Sequence, residues 1–216
     1  MNFCSVSFTG SESAGGQVGS RVAARFGKAI LELGGNNGNH PHVSLGNRFI
    51  EHFSPLLASI VMDDADLALA LPSVFFGAVG TAGQRCTSTR RLYLHRRIAN
   101  DFLERLQKSY QSIQPGDPLA AGTLLGPLHT RSACQNFESG VQRLRDSGAQ
   151  IVAGGRQYSE GPFASGNFVE PTIAIPKSPE PKDYIWKTET FAPILNVAVF
   201  DELEEAIEWN NGVAQV

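Results

Sequence analysis

Short apolar runs alternate with segments of helical periodicity along almost all of this 216-residue chain. The apolar runs predict strands at residues 2–8, 29–33, 90–95, 151–152, 168–175 and 194–200. Strands that alternate with helices usually pair in parallel, because each helix carries the chain back to the same end of the sheet. The sequence therefore predicts an α/β fold, a mostly parallel sheet with helices packed on its faces.

Apolar spacing and capping residues predict where the helices lie. Val18, Val22 and Phe26 share one face of a helix over residues 14–26, which Gly27 ends at the C′ position. Pro72 opens a helix that runs to residue 79, and others span 98–113 and 130–146. The last helix begins at the capping box Asp201-x-x-Glu204. In the helix at 130–146, the residues predicted to face inward are Ala133, Phe137, Val141 and Leu144.

Charge and composition exclude several classes of protein. The formal net charge is −3, whereas proteins that bind nucleic acids or anionic membranes need a basic surface. No run of 18 apolar residues occurs, so no membrane span is expected. The three cysteines are odd in number and far apart, which favours a reducing compartment over a disulfide framework. We therefore expect a cytoplasmic protein, with the mitochondrion as the alternative compartment.

Residues 38–57 interrupt the alternation. They contain His40, His42 and His52 and show no period of 2 or 3.6. The bland interpretation is a surface insertion with incidental histidines, and the functional one is a metal site. Because no cysteine or carboxylate stands nearby at a ligand-like spacing, the insertion is favoured and no metal is expected.

Three segments carry residues suited to chemistry. Gly10, Ser11 and Gly15 lie in a strand-to-helix turn whose free N–H groups suit a phosphate, although ordinary helix capping explains the serine equally well. Glu32 ends an apolar run beside two glycines. Partial desolvation there would raise the pKa of its carboxyl group and make it a general base. The alternative is a carboxylate exposed to solvent on an edge strand. Cys86 follows a glycine break and Arg85, which indicates a nucleophile, although buried structural cysteines are commoner and are expected at Cys4 and Cys134.

Together these segments resemble the NAD(P)-dependent aldehyde dehydrogenase family. Leu31-Glu32-Leu33-Gly34-Gly35 resembles its glutamate motif, and Gly83-Gln84-Arg85-Cys86 resembles its cysteine motif. The segment Thr188-Glu189-Thr190-Phe191-Ala192-Pro193 resembles the family's E-x-F-G-P block, with Ala192 in place of the glycine. Further blocks resemble a branch of the family that acts on a semialdehyde: Gly35-Asn36-Asn37, Thr81 to Thr87, Gly126-Pro127-Leu128-His129-Thr130 and Phe168-Val169-Glu170-Pro171-Thr172.

The resemblance implies roles for individual residues. Cys86 would attack an aldehyde, and Glu32 would activate the water that hydrolyses the resulting thioester. NAD, or alternatively NADP, would be the cofactor, and the implied cofactor-binding residues are Gly10, Ser11, Gly15, Leu33, Glu189 and Phe191. Arg85 would hold a substrate carboxylate with two hydrogen bonds, and a structural ion pair is its alternative role.

The resemblance also implies a domain organisation. Residues 1–35 would be the last part of a Rossmann-like cofactor domain, residues 36–60 an atypical connection, and residues 61–216 an incomplete catalytic domain. Full-length family members are expected to form homo-oligomers. Because the match covers less than half of a family member, an inactive remnant that binds a partner or subunit stays an alternative. A cysteine hydrolase with His95 or His129 as its base is a further one, although neither histidine lies in a recognisable hydrolase motif.

Overall fold

Eight strands and six α-helices make up the part of the chain that the computed structural model describes, residues 5–34, 49–51, 58–180 and 183–213. The strands are β1 Ser5–Thr9, β2 Lys28–Glu32, β3 Phe49–Glu51, β4 Ala58–Val61, β5 Arg91–His95, β6 Gln150–Ala153, β7 Thr172–Ile175 and β8 Ile194–Phe200. The helices are α1 Glu12–Ala23, α2 Leu67–Val79, α3 Arg96–Ser112, α4 Arg131–Asp146, α5 Tyr184–Lys187 and α6 Leu203–Asn211. None of these helices is long and apolar enough to cross a membrane.

The larger sheet has six strands in the order β3-β4-β5-β8-β7-β6. Its four central strands are parallel, and β3 and β6 add antiparallel pairs at the two edges. Strands β4, β5 and β8 are buried almost throughout, as parallel strands covered on both faces should be. The predicted α/β fold with a mostly parallel sheet is confirmed.

Helices cover both faces of this sheet. Alternate residues of β5 point to opposite faces, so Leu92 and Leu94 belong to one apolar cluster and Tyr93 to the other. The first cluster includes the buried sides of α2, α3 and α4, and all four inward positions predicted for α4 are buried there. The second cluster is smaller and includes Trp186 of α5 and Ala206 of α6.

The smaller sheet pairs β1 and β2 in parallel, with α1 as the connection between them. Ser5 lies opposite Lys28, and Thr9 lies opposite Glu32 at the carboxyl ends of the two strands. Both strands are largely exposed. This register brings the turn at Gly10 next to the end of β2, where the predicted glutamate motif stands.

The end of α1 differs from the prediction. The helix ends at Ala23 with Ala24 as its C-cap, and the left-handed residue in the turn that follows is Phe26 (φ 56°) rather than Gly27. The Gly27 N–H donates to the Val22 carbonyl and the Phe26 N–H donates to the Ala23 carbonyl, the pair of bonds of a Schellman motif. Phe26 therefore turns away from the helix and is 99% exposed, whereas Val22 is buried as predicted.

Two predicted helix starts are also wrong. Helix α2 begins at Leu67, where the Asp66 carboxylate accepts the Ala68 N–H at 2.9 Å, and Pro72 lies inside the helix. The capping box of α6 lies one residue later than predicted, at Glu202 and Glu205 rather than Asp201 and Glu204. The Glu205 carboxylate accepts the Glu202 N–H at 3.0 Å. In both cases a neighbouring acidic residue satisfies the free N–H groups of the first turn.

Candidate functional site

Cys86 lies on a loop with an unusual backbone between α2 and β5. Thr81, Ala82 and Gly83 have φ values of 55°, 52° and 67°, three left-handed residues in succession. Such a conformation costs about 1–2 kcal/mol for each non-glycine residue, so surrounding contacts must hold it. Ala82 and Gly83 are buried, whereas Cys86 is exposed and free. The buried start of the loop is thus held by its surroundings, while the Cys86 thiol faces solvent.

Gln84 fixes one side of this loop. Its Nε2 donates to the carbonyls of Thr81 and Pro127, each at 3.2 Å. Its Oε1 accepts the His129 N–H at 2.9 Å and lies 3.0 Å from the His129 ring Nδ1. Gln84 therefore joins two of the predicted motifs, and His129 lies within the same network.

Arg85 lies against α2. Its Nη2 donates to the Phe76 carbonyl at 3.1 Å, and its guanidinium carbon lies 4.8 Å from the centroid of the Phe76 ring. Its Nε is buried with no hydrogen-bond partner among the described residues. No acidic side chain in the described part of the chain forms an ion pair with Arg85, so the structural ion pair that was its alternative role is not seen there.

The 189–193 segment packs directly on the cysteine loop. A Cβ built on Gly83 would lie 2.5 Å from the Ala192 carbonyl carbon and 2.7 Å from the Pro193 nitrogen. Only glycine permits this approach. The left-handed residue of the segment is Phe191 (φ 52°), and Ala192 is not among the left-handed residues, so alanine is tolerated in place of the glycine of the family motif.

Glu189 is held by Arg90, a residue that sequence reasoning missed. Arg90 Nη2 donates to Glu189 Oε1 at 2.7 Å, and the two side chains are 6% and 21% exposed. Burial lowers the pKa of Arg90, and Glu189 and Cys86 oppose this shift. Burial likewise raises the pKa of Glu189, against the effect of Arg90. Both directions indicate that desolvation outweighs the attraction between the two charges.

The β1–α1–β2 unit contributes the other predicted residues. Gly10 donates its N–H to the Glu32 carbonyl at 3.0 Å, and the Ser11 hydroxyl accepts the Ala14 N–H at 3.3 Å as the cap of α1. The capping interpretation of Ser11 is thus confirmed. Gly15 is buried against Leu33, because a Cβ there would lie 2.1 Å from Leu33 Cδ2.

Gly34 connects this unit to the rest of the site. A Cβ on Gly34 would lie 2.7 Å from Glu189 Oε2, so the backbone that follows Glu32 runs against the Glu189 carboxylate. The glutamate motif, the cysteine motif and the 189–193 segment, which are distant in sequence, therefore meet in one place. Glu32 itself is exposed, so the expected desolvation of this carboxylate is wrong in this structure.

The remaining predicted residues lie elsewhere. Cys134 is buried in α4, and burial raises its pKa, as expected of an inert structural cysteine. His95 caps α3 and packs edge-on against Phe200. No group of three or more potential metal ligands occurs among the described residues, and His40, His42, His52 and Cys4 lie outside them.

The signals for these contacts differ in how far sequence alone reveals them. Gln84 stands two residues before Cys86, in a motif that the sequence already marks, so its importance could have been predicted. Arg90 was not, because its partner Glu189 is 99 residues away and nothing in the local pattern links the two.

Comparison with known proteins agrees with this arrangement. The model of the aldehyde dehydrogenase family matches residues 57–215. Aldehyde dehydrogenase family 7 member A1 of Pisum sativum is 47% identical over 210 residues, which are 97% of this chain and 36% of the pea protein. The alpha-aminoadipic semialdehyde dehydrogenase of Mus musculus is 43% identical over 210 residues, 97% of this chain and 34% of the mouse protein. The chain thus spans about a third of the length of these relatives.

Solved structures show the same fold. Betaine aldehyde dehydrogenase from Staphylococcus aureus, in complex with NAD⁺, superposes with a TM-score of 0.82 and 27% sequence identity. The superposition covers 97% of this chain and 37% of the bacterial one. Both the two-stranded unit and the six-stranded sheet are therefore included in the match.

Proposed function

Because the chain belongs to the aldehyde dehydrogenase family, we propose that it contributes the reacting cysteine and part of the cofactor contacts to the NAD-dependent oxidation of an aldehyde to a carboxylic acid. The observation that carries this proposal is the meeting of three motifs: Gly83 packs on Ala192, and Gly34 packs on Glu189. The thiol, the carboxylate and the end of β2 are thereby brought to one place.

The described residues fit the cofactor that this reaction requires. The first turn of α1 has N–H groups without intrahelical acceptors, a suitable environment for a phosphate. The Glu189 carboxylate is 21% exposed and still has an oxygen, Oε2, to accept from sugar hydroxyls. Glu189 would hold the nicotinamide ribose, and Phe191, whose ring centroid lies 5.5 Å from the Arg90 guanidinium carbon, would pack beside the nicotinamide ring. Gly10 and Ser11 would contact the phosphates, whereas Gly15 and Leu33 support the turn by packing on each other.

The residues of the chain account for the proton and bond changes. The Cys86 thiolate would attack the aldehyde carbon to give a thiohemiacetal, and the Cys86 N–H would donate a hydrogen bond to its oxygen. The chemistry that NAD would supply, held by Glu189 and Phe191, is acceptance of hydride from that carbon, and its loss would leave a thioester on Cys86. Glu32 removes a proton from water, which attacks the thioester, releases the acid and frees the thiol. The exposure of Glu32 is compatible with a base that must meet water.

Arg85 supports a narrower substrate class. The blocks around it resemble antiquitin, the α-aminoadipic semialdehyde dehydrogenase, whose substrate bears a carboxylate. Arg85 is held by one hydrogen bond and the Phe76 ring, which leaves other N–H groups of the guanidinium to bind an anion. We infer a semialdehyde that carries a carboxylate at its far end.

A spectrophotometric assay tests the reaction. Purified protein is mixed with NAD and an aldehyde, and the absorbance of the reduced cofactor is followed in the wild type, Cys86→Ala and Cys134→Ala. We expect turnover in the wild type and Cys134→Ala and none in Cys86→Ala. Turnover that survives Cys86→Ala, or no turnover in any of the three proteins, would overturn the proposal.

Arg85→Gln tests the substrate class separately. Loss of a charged hydrogen bond is worth about 1.5–3 kcal/mol, so kcat/KM for a carboxylate-bearing semialdehyde should fall about 10- to 150-fold. The value for a neutral aldehyde of the same length should change little. An equal fall for both substrates would assign Arg85 a structural role instead.

The family membership also supports a homo-oligomer in a reducing compartment, with the cytoplasm as the proposed location. Both Cys86 and Cys134 are free, in keeping with reduced thiols. Light scattering of the purified protein tests the assembly, and a monomer at every concentration would contradict it.

A further inference from the structure

One side chain, Arg90, joins the cysteine loop to the 189–193 segment. Its Nη2 donates to Glu189 Oε1 at 2.7 Å and to the Arg85 carbonyl at 3.1 Å. Its Nη1 donates to the Gly83 carbonyl at 3.4 Å. The first bond reaches the cofactor-contacting carboxylate, and the other two reach the backbone of the cysteine loop on both sides of Gln84.

The same guanidinium also lies near Phe191. The Arg90 guanidinium carbon is 5.5 Å from the centroid of the Phe191 ring, within the range of a cation–π contact. Phe191 has a left-handed backbone, which neighbouring contacts must maintain. Arg90 therefore contacts both residues that are proposed to hold the nicotinamide end of the cofactor.

Geometry, more than stability, is what such a pair provides. Both charges are largely buried, and the cost of removing them from water outweighs their attraction. A planar guanidinium fork fixes the direction of several bonds at once, which a lysine ammonium cannot do. The consequence is a fixed spacing between the loop of Cys86 and the segment of Glu189.

We propose that Arg90 is a positioning residue that sets the distance between the Cys86 sulfur and the nicotinamide end of the cofactor site. It acts through Glu189, Phe191 and the carbonyls of the cysteine loop, without contact to the substrate. The expected effect of Arg90 on the kinetics rests on the proposed function. Its expected effect on the structure of the two segments rests only on the observed contacts of Arg90.

The structural arm of the test needs no activity. Hydrogen exchange is compared in the wild type, Arg90→Met, Arg90→Lys and the control Arg97→Met, whose guanidinium is exposed and paired with Asp63 on the surface. In Arg90→Met we expect amides of residues 83–86 and 188–193 to exchange about tenfold faster or more, with α4 unchanged. Arg90→Lys should lie between, and Arg97→Met should match the wild type. Unchanged exchange in both segments would overturn the proposal.

The kinetic arm separates positioning from general destabilisation. In Arg90→Met, KM for NAD should rise about tenfold or more, while the rate of Cys86 alkylation without cofactor changes far less. Glu189→Gln should show the same rise, and the double variant should be no worse than the poorer single one, because both act through one contact. Fully multiplied effects, or a fall in kcat alone, would contradict the proposal. If the wild type shows no turnover, the proposed function fails and the exchange arm alone decides the role of Arg90.

Discussion

Gly83 is the position at which one added methyl group should disturb the site most. Its φ is +67°, and a Cβ would lie 2.5 Å from the Ala192 carbonyl carbon, 2.6 Å from its oxygen and 2.7 Å from the Pro193 nitrogen. The left-handed backbone costs alanine about 1–2 kcal/mol, and overpacking adds about 1–3 kcal/mol. Because the obstructing atoms are backbone and Ala192 is buried, they cannot swing aside. We expect Gly83→Ala to lower the free energy of unfolding by about 2–5 kcal/mol.

Gly122→Ala is the matched control for this prediction. Gly122 also has a positive φ, +84°, but nothing lies within 4 Å of a Cβ built there. It should therefore show only the backbone cost of about 1–2 kcal/mol. Urea unfolding followed by the fluorescence of Trp186, which is 1% exposed, measures both variants. Equal losses in Gly83→Ala and Gly122→Ala would refute the close packing of the cysteine loop on the 192–193 backbone.

Further substitutions test other parts of the structure. Gly15→Ala should lower the free energy of unfolding by about 1–3 kcal/mol, because the added Cβ would overlap with Leu33. Gly16→Ala, where nothing lies within 4 Å of the Cβ, should raise it by up to about 1 kcal/mol. Equal effects of the two substitutions in urea titrations would be inconsistent with this packing. Phe137→Ala removes a fully buried ring and should cost about 3–5 kcal/mol by the same measurement, and a loss below about 1 kcal/mol would show that the ring is not in the core. Burial raises the pKa of Glu189, so its ionised form is less favourable in the folded chain than in the unfolded one. The difference in unfolding free energy between the wild type and Glu189→Gln should therefore favour the wild type most below a pH of about 4.3, the pKa of a glutamate in the unfolded chain. It should fall as pH rises through the higher pKa of Glu189 in the folded chain. A difference that grows with pH would contradict that direction.

Six of the eight described strands were predictable because their signals are local, whereas β3 and β4 were missed, since they lie within or directly after residues 38–57, which show no clear period. Runs such as those of β5 and β8 are buried on both faces, so they are apolar almost without interruption. The helix ends were harder, because several polar residues near each end compete for the same N–H groups. At the start of α6, Glu205 rather than Glu204 accepts the free backbone N–H, and only the packed structure decides which of two such neighbours does so.

The candidate site divides in the same way. Cys86, Glu32 and Glu189 stand in motifs that sequence alone marks, and their roles stay predictions. The contacts that bring the motifs together are long-range: Gly34 on Glu189, Gly83 on Ala192, and Arg90 on Glu189. No periodicity or spacing encodes contacts between residues that are 99 to 155 positions apart, so these contacts emerge only from the fold.

The acyl intermediate on Cys86 tests the central claim most directly. Glu32→Gln retains the shape of the side chain but removes the proposed base, so the thioester should form and then persist. After incubation with an aldehyde and NAD, peptide mass spectrometry should find the acyl group on Cys86 of this variant. The adduct should be absent when NAD is omitted and absent from Cys134. No acyl adduct on Cys86 in Glu32→Gln, or an equal adduct without NAD, would contradict the account.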